Sequence, residues 1–478
     1  MRYYNKFVRR LLWFPAVCLG ALPLLAQEQN VETPKAAARQ NSAFFDTADT
    51  QQQELETTAI QPDDRPLSGV QNPTIGSPES RHSFWVPGIQ YGNAVRSASL
   101  SGVNSGWNTT NFVNTNVSLL ESWNHSTFSA NYSGGAYFST DPLQGQGQGQ
   151  GPGQGQFQQL AANYQFDGKR WQALLVDQFS YLPQSSFGFG GGSGLSTPGV
   201  SGTLAVPVAG LQTAYVPGQT NLAAVGPQYN NSSALQFTYR TSARGSVTVA
   251  GVYGILRFVN PGSINSDMET GVVGYDYSVT RKDSVGLTYR FGAYRFPGEP
   301  QALGDQVVHL EYGRKITGRM GLKLAGGPEL TTLRIPIANM RRTLSGSGST
   351  SLSYALSQGT GLELHYTHGV SGGSGVFTGA ISDQVGAGLS KQLTRVWSGN
   401  LNFGYARNGQ ILAAAGAPRF DNWFAGAGLS RAIGHMTFFS LGYQAQINAG
   451  SAIPGSASNA VHQIYLSFQW HTRPFVLR

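Results

Sequence analysis

The residues Val461–His471 alternate between two environments. Ile464, Leu466, Phe468 and Trp470 fall on one face of an extended segment, and Gln463, Tyr465, Ser467, Gln469 and His471 fall on the other. That is the period of two that a strand imposes on its side chains. The pattern recurs along most of the chain. Phe128, Ala130 and Tyr132 oppose Ser129, Asn131 and Ser133, while Leu401, Phe403 and Tyr405 oppose Asn400, Asn402 and Gly404. A chain of repeated two-faced strands is all-β.

Soluble antiparallel sheets alternate in the same way, so the chemistry of the two faces has to decide the surroundings. Here the wet face is built of small uncharged residues (Ser, Asn, Gln, Gly), and aromatic residues gather near strand ends, where interfacial girdles belong. Only 12% of residues are charged and 62 are glycine. A membrane protein of helices needs runs of about 20 apolar residues, and beyond the N-terminus the sequence has none. The connections alternate too. Short turns such as Asp167-Gly168-Lys169 and Arg281-Lys282-Asp283 alternate with long segments at 140–156, 184–229, 259–268, 297–306, 371–378, 408–418 and 448–458. Short on one side and long on the other is the arrangement of barrels in an outer membrane. The expected fold is a single transmembrane antiparallel β-barrel of about 16 to 18 strands. Its last strand must close the ring, because an open sheet edge cannot stay unpaired in lipid.

The N-terminus reads as an export signal over residues 1–26: Arg2, Lys6, Arg9 and Arg10, then the apolar Leu11–Leu25, then a small residue at Ala26. Residues 27–91, rich in Gln, Thr, Pro and Ala, are expected as a disordered periplasmic leader, and 92–478 as the barrel. From Thr110 onward about 17 strands can be counted, and even parity points to Ala94–Gly102 as another. The Ser-rich Thr343–Ser357 is the marginal segment whose loss would reduce the number to about 16. The one cysteine, Cys18, lies in the signal, so disulfides, thiolate metal sites and cysteine nucleophiles are excluded from the mature chain. Removing the signal halves the formal charge of +8. With no basic run in the sequence, nucleic acid is not an expected partner, and mild contact with anionic lipid headgroups is the expected use of that charge.

With these residues in view, the stretch of about 94–470 resembles the general and substrate-selective porins. Phe468-Gln469-Trp470 resembles the aromatic-x-aromatic terminal strand that the barrel-assembly machinery recognises, and the chain departs from that pattern in the tail His471–Arg478. The resemblance implies a passive channel for small hydrophilic solutes, embedded among outer-membrane lipid and lipopolysaccharide. One protomer of a homotrimer is an assembly it allows. No cofactor and no catalysis are expected. A hatch-gated transporter of hydrophobic compounds and a structural or adhesion barrel with a blocked lumen are the alternatives.

Several residues are candidates for setting the channel's properties. Asp276, Arg290, His309, Glu311, Lys323, Glu363 and His365 fall in the polar phase of their strands. In a water-filled lumen they would set ion preference, and in a filled one they would pair with each other. Phe187, Gly188, Phe189 and Gly190, in the longest loop, are candidates for an inward constriction. His368 and Asp383 are close on adjacent strands but in the outward phase, so a rim pair explains them better than catalysis.

Overall fold

The computed structural model describes residues 83–97, 107–140, 153–182, 228–259, 264–334, 341–357, 359–372, 377–411, 419–434, 436–450 and 459–476. The expected signal, most of the expected leader and Phe187–Gly190 lie outside the described residues. The first nine strands are β1 (Phe84–Ser97), β2 (Trp107–Ser122), β3 (Ser126–Ser139), β4 (Gly153–Asp167), β5 (Trp171–Leu182), β6 (Gln228–Arg240), β7 (Gly245–Phe258), β8 (Ser266–Ser278) and β9 (Asp283–Arg295). The ring continues with β10 (Ala302–Thr317), β11 (Met320–Arg334), β12 (Arg341–Ser357), β13 (Thr360–Ser371), β14 (Ala380–Gln392), β15 (Trp397–Gln410), β16 (Arg419–Ile433), β17 (Thr437–Gly450) and β18 (Asn459–His471), followed by the short β19 (Phe475–Val476).

Strands β1–β18 pair antiparallel with their chain neighbours, β1 pairs with β18 from Gly88 opposite His471 to Arg96 opposite Gln463, and β19 pairs with β1. The sheet is therefore a closed barrel. Thr343–Ser357 is a full member, paired on both sides, so the larger strand number holds. β1 begins well before Ala94: Phe84–Tyr91, expected at the end of the leader, are its first half. The reading missed this because Pro87 and Gly88 interrupt the pattern. Pro87 is tolerated because its backbone faces the break between β18 and β19, where pairing stops at Gly88 opposite His471 and resumes at Trp85 opposite Phe475, so no ladder donor is required of it. Several expected loops are also shorter than their sequence suggested. Gly153–Gln156, the end of the Gln-Gly repeat, pair with Ala136–Ser139 as the start of β4.

The tail beyond His471 extends the seam. Thr472 N donates to Pro87 O at 3.0 Å, Phe84 and Trp85 pair with Val476 and Phe475, and Trp85 stacks on Phe475 at 5.0 Å. Removing residues 472–478 should expose the edge of β1 at Phe84–Pro87. The barrel's heat-modifiability transition should then fall by several degrees, and an unchanged transition would show that the tail adds nothing to closure.

Outward and inward faces separate as the alternation predicts. Ile464, Phe468 and Trp470 are 44–45% exposed on the outside of the closing strand, with Leu466 half-buried in the same phase, while Gln463, Ser467 and His471 are buried inside. The outer belt of Leu235, Leu287, Leu310, Leu401 and similar residues is apolar and exposed, the reverse of a soluble protein and the condition for a wall in lipid. Inside, large side chains lie flat over neighbouring glycines. A Cβ on Gly92 would fall 1.9 Å from Phe112 Cζ, and one on Gly442 would fall 2.0 Å from Tyr465 Cε1. Each glycine thus makes room for a ring along the wall.

Candidate functional site

The inward-facing charges of the described strands between the two rims all lie on β8–β13. The inward phases of β14–β18 and of β1–β3 carry hydroxyls, amides, small residues and a few aromatics, with Asn400, Asn402, Gln444 and Gln463 typical. The side chain of Arg96 lies outside the described residues. The lumen wall is therefore one charged arc facing a neutral, amide-rich arc.

Two ion clusters are stacked within the charged arc. In the half nearer the long loops, Arg290 on β9 sits 2.7 Å from Asp305 on β10 and 3.4 Å from Glu329 on β11. The pairing follows from register, since Val307 is the residue opposite both Arg290 and Glu329. Glu329 also accepts from Val370 N at 3.1 Å and from Ser345 Oγ at 3.5 Å. Both carboxylates are almost wholly buried, with Asp305 at 0% and Glu329 at 1% exposure. In the half nearer the short turns, Glu311 accepts from Thr288 Oγ1 at 2.5 Å, and Lys323 Nζ lies 3.5 Å away. Asp276 lies against Gly286 on the same level. His309 Nε2 is 2.8 Å from Ser347 Oγ between the two clusters, His365 lies over Gly386, and Glu363 is exposed to the lumen.

The seven expected residues thus all face inward, but they do not form one site. Arg290, Glu311 and Lys323 are paired, as expected for side chains that share a restricted space, and Glu363 and His365 stand apart on β13. Asp305 and Glu329 complete the upper cluster and are not among the residues expected from the sequence. Asp305 falls in the segment 297–306, which reads as a connection in the sequence, and it shares its inward phase with Leu303 and Val307, so no alternation marks it. Glu329 was legible, because it continues the phase of Lys323 along β11.

Above Arg290 the wall becomes apolar. Val252, Met268, Val272, Tyr294, Leu303 and Leu333 belong to one buried cluster with Phe296 from the β9–β10 connection, and Ile264 and Ile411 pack against it. Thr378 in the β13–β14 connection hydrogen-bonds Gln301 in the β9–β10 connection, and a Cβ on Gly379 would lie 2.6 Å from Leu303 Cδ2. Among the described residues, the long-loop material that packs inward comes from these connections, and the expected constriction at Phe187–Gly190 is outside the described residues.

On the outer wall, His368 Nδ1 and Asp383 Oδ1 are 2.6 Å apart, and Tyr366 OH donates to the same oxygen at 3.1 Å. Next to them, Asp421 lies between Arg407 and Arg419 at 3.8 and 3.3 Å. These are rim contacts facing away from the lumen. Outward charge is cheap there and costs about 2–4 kcal/mol per Arg or Lys at mid-membrane.

Closed backbone pairing, an apolar belt outside and polar side chains inside define a membrane-spanning β-barrel. No family model matches the chain, and no curated protein matches it. Among solved structures it is similar to Pseudomonas aeruginosa OccK9 (OpdG), with 10% identity, a TM-score of 0.42, and coverage of 82% of this chain and 98% of that one. It is also similar to Acinetobacter baumannii OccAB4 (9%, TM-score 0.40, 82% and 98%) and to Pseudomonas aeruginosa OpdK crystallised with vanillate (10%, TM-score 0.42, 82% and 99%).

Proposed function

We propose that this barrel is an outer-membrane channel for passive diffusion of small hydrophilic solutes. The observation that carries the reading is the closed ring with opposite polarity on its two faces. A ring this wide encloses an aqueous path unless its interior is filled. The short-turn half of β13–β17 offers such a path a hydrated surface, with Glu363 and Asn400 exposed and Asn402, Ser390 and Ser440 half-buried. Liposomes containing the refolded protein should swell in neutral sugars, at rates that fall steeply with solute size. Swelling no faster than in protein-free liposomes would favour a blocked barrel instead.

The charged arc also predicts ion preference. Between the rims, the inward carboxyl groups Asp276, Asp305, Glu311, Glu329 and Glu363 outnumber the cations Arg290 and Lys323, so cations should be favoured modestly. In a KCl gradient the reversal potential should carry the cation-selective sign and shrink in Glu363→Gln, the exposed member of the set. An anion-selective sign would contradict this reading of the wall.

A further inference from the structure

Most of the exposed cations of the described barrel lie at one end. At the short turns stand Lys169 and Arg170 after β4, Arg244 after β6, and Arg281 and Lys282 after β8, all exposed. Arg319 after β10 and Arg395 after β14 continue the series. Exposed strand ends add Arg240, Arg314, Lys391 and Arg431 at the same rim, and Arg473 joins them from the tail. The acids of this rim are Glu121, Asp167 and Asp283. Asp167 accepts from Gln165 and Gln172 at 2.7 and 2.8 Å, and Asp283 accepts from Thr280 and Tyr312 at 2.7 and 2.8 Å and lies 3.7 Å from Arg314, so of these cations only Arg314 is paired with either of these two acids.

The opposite end has no such excess. Of its described outward cations, Arg257, Arg295, Arg407 and Arg419 each lie beside an outward acid, while Arg334 and Arg342 stand exposed at the β11–β12 connection. The long connections 98–106, 183–227, 412–418 and 451–458 contain no charged residue in the sequence.

The basic rim also lies next to the lipid-facing aromatic girdle of that end. Trp85, Trp123, Trp171 and Trp470 are exposed there, and Arg431 lies over Trp397 at 5.3 Å. Indole rings at the headgroup level and long cations reaching just beyond them form a surface matched to phosphate at a bilayer interface. A row of basic residues at that depth gains attraction from an anionic leaflet and falls off within a Debye length of it.

We infer that this basic collar binds anionic phospholipid headgroups of the leaflet at the short-turn rim, which is the periplasmic leaflet in outer-membrane barrels, whose short turns face the periplasm. Arg170 directly precedes the girdle residue Trp171 and Arg431 lies over Trp397, so the collar is continuous with the lipid-facing girdle, which favours lipid over an acidic periplasmic polymer. The inference depends on membrane insertion and not on conductance.

The test is tryptophan quenching in vesicles of phosphatidylcholine doped with either brominated phosphatidylglycerol or brominated phosphatidylcholine. It compares the full chain with a variant carrying Arg170→Gln, Arg244→Gln, Arg281→Gln, Lys282→Gln, Arg319→Gln and Arg395→Gln. These are exposed turn residues outside the lumen, and heat-modifiable migration shows whether the variant is folded. The unaltered protein should be quenched several-fold more effectively by brominated phosphatidylglycerol, and the folded variant should show a ratio near unity. Equal quenching of the unaltered protein, or a preference that survives in the folded variant, would overturn the inference. Equal quenching together with co-sedimentation of the micelle-solubilised protein with poly-glutamate would assign the collar to an acidic polymer. If the sixfold variant does not fold, Arg170→Gln/Arg244→Gln and Arg319→Gln/Arg395→Gln should each lower the ratio part-way, and no change in either folded pair would overturn the inference. A conductance failure would leave these outcomes unaffected, so the two readings fail separately.

Discussion

Replacing Arg290 with methionine should destabilise the barrel by about 3–5 kcal/mol, the cost expected when one partner of a buried ion cluster is removed. Asp305 and Glu329 are among the least exposed residues of the wall and sit on adjacent strands with this guanidinium between them. Without it, two carboxylates would face one another, with Val370 N and Ser345 Oγ as the remaining donors to Glu329. Both carboxylates are held by one guanidinium nitrogen, Nη2, and Arg290→Lys should recover only part of the loss, because an ammonium is more strongly hydrated than a guanidinium and costs more to bury. The triple change Arg290→Met, Asp305→Leu and Glu329→Leu should recover most of it, since an apolar replacement of a whole buried cluster is often neutral or better. Urea unfolding in lipid vesicles measures all three. A single Arg290→Met variant as stable as the parent would mean that water already solvates the cluster.

The second large effect is expected at Gly327. A Cβ there would lie 1.9 Å from Val308 O, a backbone atom of the neighbouring strand, and the β10–β11 pairing is open at this point, between Val307 opposite Glu329 and Leu310 opposite Gly326, with the register unchanged. A side-chain clash can be relieved by a rotamer change, but a backbone clash requires the strands to separate. Gly327→Ala should therefore cost at least about 3 kcal/mol and reduce the yield of folded barrel. Gly251 and Gly271 are the controls. They face the lipid with nothing within 4 Å of a Cβ, so alanine at either should change stability by no more than about 0.5 kcal/mol. Equal effects at Gly327 and Gly251 would show that the close approach at Val308 carries no weight.

What the sequence disclosed depended on whether a property is periodic. Strand identity and facing repeat every second residue, so the closing strand, its outward Ile464, Phe468 and Trp470, and the inward phase of His309 and Glu311 could all be read directly. Strand ends could not, because nothing in the Gln-Gly repeat separates Gln154, which pairs with Phe138, from the residues just before the strand. Contacts between strands depend on register, which the local pattern does not contain. Arg290 was legible as inward, but its placement between Asp305 and Glu329 was not. The basic collar was hidden for a related reason. Five of the short turns contribute one or two cations each, separated by two strands' length of mixed sequence, so no basic run appears until the barrel brings every second turn-forming segment to one rim.

The closed, water-filled barrel is tested most directly by single-channel recording of the refolded mature chain in a planar bilayer, on protein already shown by heat-modifiable migration to be folded. Discrete, ohmic conductance steps are expected, with the cation-selective sign set by the β8–β13 wall. A folded barrel that inserts and stays electrically silent would contradict the channel, and would place the packed half of the lumen near Arg290 and Leu303 as its block.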